Sequence, residues 1–200
     1  MENTEFQKKI TNHFNRKLPF VIYCLPESDI ITAYFQKSNG AYSADCYAED
    51  GFVMAPFDSR NETICIPASQ SEVVQLSFSS KQLMFKDIDI HESEEDHAKH
   101  IALVDHAKKS INERKSSKIV VTRRKELPIE NFDLGLLFDR LLHLFPDTFR
   151  YVWYHPKTEL WCGASPELLL KTNGLSFTTM ALAGTKKVID KRLPDWSAKE

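Results

Sequence analysis

Between Pro19 and Phe78 the chain is built from short β-branched and aromatic runs, cut apart by proline, glycine, asparagine and aspartate. PFVIYCLP, ITAYFQ and GFVMAPF are the clearest, and NETICIPAS and VVQLSF continue the pattern. Runs this short, with turn-forming residues between them, predict antiparallel strands joined by tight turns. The pattern returns at Phe149, with FRYVWYH, the turn PKT, LWCGAS, ELLLK, the turn TNG and LSFTTMAL.

Helical spacing interrupts this rhythm three times. Asn3 to Lys17 carries Phe6, Ile10 and Phe14 on one face. HESEEDHAKHIALVDHAKKSINER sets Ile101, Val104, Ala107 and Ile111 on one side, with acidic residues first and basic residues last, as the helix dipole favours. FDLGLLFDRLLHLFP predicts a helix capped by Asn131 or Asp133, buried through Leu134, Leu137, Phe138, Leu141 and Phe145, and stopped by Pro146. Between the last two, KIVVT reads as a strand. The expected fold class is α+β, a layered and largely antiparallel sheet with packed helices, forming one structural unit.

Two hundred residues, 42% hydrophobic and 27% charged, suffice for a sizeable core. The net charge of −2, with Lys and Arg scattered, offers no basic stripe for a nucleic-acid backbone. No run of about 18 apolar residues and no secretory signal occur, so the expectation is a cytoplasmic protein with no membrane partner. Cys24, Cys46, Cys65 and Cys162 are widely spaced without a C-x-x-C pair, which predicts small buried or half-buried apolar residues and neither a zinc site nor a disulfide scaffold.

Several side chains could carry chemistry, and singly each has an ordinary structural role. Lys118 is a lysine at a strand boundary, Glu167 a carboxylate after Ser165-Pro166, and Gly184 the flexible residue of a turn in ALAGT. His97 and His100 share a helical face, with His106 and His91 nearby, yet a solvated helix surface accounts for them. Trp153, Trp161, Tyr151 and Tyr154 fit strand core positions, and Arg123-Arg124-Lys125 a solvated strand end.

Taken together, KIVVTRR, WCGASPELLLK and SFTTMALAGT resemble the chorismate-utilising enzymes, and among them the isochorismate synthases. Glu167 lies 49 residues after Lys118 and 17 before Gly184, close to that family's intervals. The resemblance is specific from Lys118 to Thr185 and loose before about Glu94. It implies a variable N-terminal portion over 1–92 and, over 93–200, the first part of a chorismate-binding catalytic domain. The expected fold is thus an incomplete chorismate-utilising-enzyme fold.

The resemblance also implies roles. Lys118 would be the general base activating water for attack at C2 of chorismate, and Glu167 the general acid for the hydroxyl leaving C4. Ala183, Gly184 and Thr185 would let backbone amides approach a substrate carboxylate. Amine-transferring relatives carry glutamine in place of Lys118, and one type carries lysine in place of Ala183, so these two residues point to water as nucleophile. That leaves isochorismate synthase, for menaquinone or less readily a siderophore, with salicylate synthase as the alternative. A non-catalytic binding or structural module is the competing class.

The family uses Mg²⁺, whose ligands are expected beyond residue 200, with Glu200 an unconvincing substitute and no metal residue assigned here. On this reading the chain is an inactive fragment, with self-association expected through the surface that truncation exposes. Lys118 and Glu167 should both be partly buried and face one cavity, because only desolvation or a neighbouring charge brings their pKa values toward neutrality.

Overall fold

A computed structural model describes residues 3–43, 50–79 and 93–182 of the protein. The chain divides into two compact units. One comprises Met1–Leu83 with Asp133–Glu200, the other Met84–Phe132.

The larger unit is organised around a five-stranded antiparallel sheet. Its strands are β1 (Phe20–Cys24), β2 (Ile30–Gln36), β6 (Ser71–Ser77), β7 (Phe149–His155) and β8 (Glu159–Ser165), in the order β6-β2-β1-β7-β8. The central strand pairs Phe20 with Phe35 on one side and with Tyr154 on the other. FVIYC is apolar without alternation because both faces of β1 are covered.

On one face lie α1 (Asn3–Asn15) and α3 (Leu134–Leu144). Phe6 and Ile10 from α1, and Leu134, Phe138 and Leu142 from α3, close over Phe20, Ile22, Phe35, Val152 and Tyr154. The Phe14 and Tyr154 rings meet edge to face at 4.9 Å. Asp133 caps α3, its Oδ1 accepting from the Leu136 amide at 2.9 Å. Arg150, 1% exposed, donates to the Leu142 carbonyl in the last turn of α3 and to the Leu25 carbonyl after β1, tying both to β7.

On the other face sits a three-stranded sheet of β3 (Tyr42–Ser43), β4 (Gly51–Met54) and β5 (Ile64–Pro67), in the order β3-β5-β4. Ile64, Ile66, Phe52 and Met54 pack on Val21 and Trp153, the Phe52 and Trp153 rings lying 5.7 Å apart. The Trp153 indole N–H is satisfied by Thr158 Oγ1 at 2.9 Å. The fold is α+β, with helices, sheet and small sheet in three layers.

β7 and β8 are joined by a turn in which Thr158 donates to the His155 carbonyl, after which Glu159 takes φ 62°, a left-handed conformation that favours glycine. A separate hairpin, β9 (Lys171–Asn173) with β10 (Ser176–Thr178), turns at Gly174, φ 58°.

The smaller unit contains α2 (Glu94–Asn112), capped by Ser93 Oγ, which accepts from the Asp96 amide. Its C-terminus closes as a Schellman motif: Arg114 N donates to Ile111 O and Lys115 N to Ser110 O, with Arg114 at φ 57°.

Several expectations fail. KIVVT forms no strand, because β-propensity makes a strand only where a ladder partner exists, and none pairs with it among the described residues. Of ELLLK only Lys171 is in a strand, and of LSFTTMAL only Ser176–Thr178. Ile101 is 47% exposed, and Ala107 alone is buried on α2. On α3 the buried stripe runs through Leu134, Phe138 and Leu142, with Leu137 and Leu141 half-buried and Phe145 exposed. Trp161 is 56% exposed and Cys162 is exposed, since β8 is an outer strand and the apolar cluster on the Trp153 face includes no β8 side chain. Cys24 and Cys65 are buried, and Cys46 lies outside the described residues.

Candidate active site

Glu167 stands two residues beyond β8. Ser165 Oγ accepts from its amide at 3.2 Å, a local turn that lifts the chain out of the sheet at Pro166 and leaves the carboxylate exposed. The following residues run out to the β9-β10 hairpin and back. The hairpin is closed by Met180 N donating to Leu168 O at 2.9 Å and by Thr179 Oγ1 donating to Leu169 O at 2.7 Å. Met180, and with it the start of the MALAGT segment, is therefore held beside the residue that follows Glu167. Ala183, Gly184 and Thr185 lie outside the described residues.

The setting of Glu167 is apolar but open. Leu169, Leu170 and Phe177 are 90%, 58% and 72% exposed. Such side chains desolvate a carboxylate only when something covers them.

Lys118 belongs to the smaller unit. It follows the end of α2 in extended chain, exposed, with its carbonyl accepting from Ser116 Oγ at 3.0 Å. A cavity of about 460 Å³ in this unit is lined by Asp96, Lys99 and His100 of α2 and by Arg123 to Leu127, and Lys118 is not among its lining residues. Arg123, Arg124 and Lys125 are exposed there, and Arg124 is ion-paired with Glu126. The two residues named as base and acid are thus both exposed, one in each unit.

Titration is perturbed elsewhere, in the sheet. His155 is buried with Nδ1 accepting from the Lys157 amide, and burial, with nearby Lys157, lowers its pKa while Glu62 opposes. Burial pushes the Cys24 thiol up even though the Arg150 guanidinium opposes it. Tyr23 is pushed up to about 12, first by burial and then by Tyr34. These are groups within packed layers, and sequence periodicity gave no sign of their shifts.

Among the described residues, no group of three or more His, Cys, Asp or Glu stands together to hold a metal ion, His97 and His100 included. No helix among them is long and apolar enough to cross a membrane.

A family model described as chorismate binding enzyme matches residues 50–198. The chain belongs to the chorismate-binding enzyme family. The match begins at β4 and takes in α2, α3, β5 to β10 and every residue assigned a role from the motifs. No curated protein and no solved structure matches the chain.

Proposed function

We propose that, within this family, the chain serves isochorismate synthesis: Mg²⁺-dependent addition of water at C2 of chorismate with loss of the C4 hydroxyl, for menaquinone formation. The observation that carries this reading is Lys118 in KIVVTR, within the matched region and upstream of GASPE. A lysine can deprotonate water, whereas the glutamine of amine-transferring relatives has no such capacity.

The step balances without an external oxidant. Lys118 accepts a proton from the attacking water, the new C–O bond forms at C2, the ring double bonds shift, and the C4 hydroxyl leaves as water with a proton from Glu167. A positioned acid or base of this kind contributes about 10²–10⁴-fold in rate. Lys118 must be neutral and Glu167 protonated as water attacks, so bound substrate has to take both exposed side chains out of water. Both proton transfers are assigned to these two side chains, the base and the acid of the matched motifs.

A second reading, a binding module without chemistry, is favoured by the exposure of both side chains. The test is the full-length gene product incubated with chorismate and Mg²⁺, with isochorismate followed by chromatography. Lys118→Ala and Glu167→Ala are each expected to abolish the product and leave the melting curve unchanged. An unchanged rate in either variant overturns the assignment. Chorismate binding without turnover selects the module, and release of pyruvate with salicylate selects the salicylate synthase reaction.

A further inference from the structure

The two outer strands of the five-stranded sheet are unlike each other. β6 carries Glu72, ion-paired with Lys9 of α1, and Gln75, the polar guards that keep an edge from pairing with another chain. β8 bonds to β7 alone among the described residues, and from Leu160 to Ala164 its sequence is LWCGA, with no charge, proline or bulge. Trp161 is 56% exposed on this strand and Cys162 is exposed beside it.

We infer that the outer edge of β8 is a pairing site for a second copy of this chain, added antiparallel about a two-fold axis at Cys162. The register follows from the strand itself. Centring on Cys162 pairs all seven residues of Glu159–Ser165 with their counterparts and sets each Glu159 opposite a serine, so no like charges meet. It also sets each Trp161 opposite Gly163, which brings no side chain of its own to the pair. Gly163 is fixed independently, since a Cβ there would come within 2.9 Å of the ring of Tyr151, its partner on β7, so the incoming indole meets that ring and not a side chain from β8. A self-complementary edge closes as a dimer, whereas pairing β8 with the guarded β6 would be open-ended. The product is a continuous ten-stranded sheet, twice the five strands of one copy.

Sedimentation of the full chain over a concentration series tests this, and a dimer is expected. Cys162→Lys places two ammonium groups on the axis and should yield a monomer with an unchanged circular dichroism spectrum. Direct antiparallel partners have Cα atoms about 4.5–5.5 Å apart, within the disulfide range. In a Cys46→Ser background, diamide, which takes up the two protons and two electrons of a thiol pair, should therefore link the copies through Cys162. A monomer at every concentration, a dimer that survives Cys162→Lys, or a dimer that diamide does not link at Cys162 overturns the inference.

Discussion

The centre of the sheet and the segments that carry the chemical motifs are built on opposite terms. In β1 and β7, Phe20, Val21, Ile22, Val152 and Trp153 are wholly buried, each held by neighbours on both sides and by a layer above and below. Around Lys118 and Glu167 the chain is extended, lightly bonded and exposed, with large apolar side chains facing outward. Stability resides in the first region. The second spends little of it, and its residues are free to be chosen for what they contact when a ligand or partner arrives.

That contrast can be broken most forcefully at Trp153. Trp153→Ala should cost about 3–5 kcal/mol in urea unfolding, while Leu169→Ala on the open hairpin should stay within about 0.5 kcal/mol. Equal losses would show that the hairpin is packed in solution. Asp133→Ala removes the cap of α3 and should cost about 1 kcal/mol by the same measurement. Glu159→Gly should act in the other direction, stabilising by roughly 1 kcal/mol as the left-handed position becomes free of strain.

A smaller effect should appear in the pH dependence of melting. His155 and His13 are both held below the ordinary imidazole value by burial. Below about pH 6.5 the unfolded chain therefore takes up protons that the folded one resists. The stability they contribute is present in full above that pH and is lost as pH falls toward their folded values. The melting temperature should fall between pH 7 and 5, and His155→Gln should flatten the slope.

Legibility followed the same divide. Phe6, Ile10 and Phe14 announced α1, and FVIYC and FRYVWYH announced the central strands, because burial on a regular element imposes a regular pattern. KIVVT and ELLLK have strand composition as well, but a strand also needs a partner, and pairing is a property of the whole fold. Trp161 sits where Trp153 predicts a core position, yet its strand lies outside the apolar cluster of that face. In the candidate site, Lys118 and Glu167 were legible by motif. The surroundings that would set their protonation were not, because desolvation depends on what covers a side chain.

The position of β1 also bears on how the molecule is made. Its first neighbour, β2, follows within a few residues, but its second, β7, pairs Cys24 with Arg150. At about 5–20 residues per second, synthesis leaves one side of the most apolar strand without its partner for roughly ten seconds. During that interval the nascent chain offers an open, sticky edge at its own centre, and the arrival of FRYVWYH is the event that closes it.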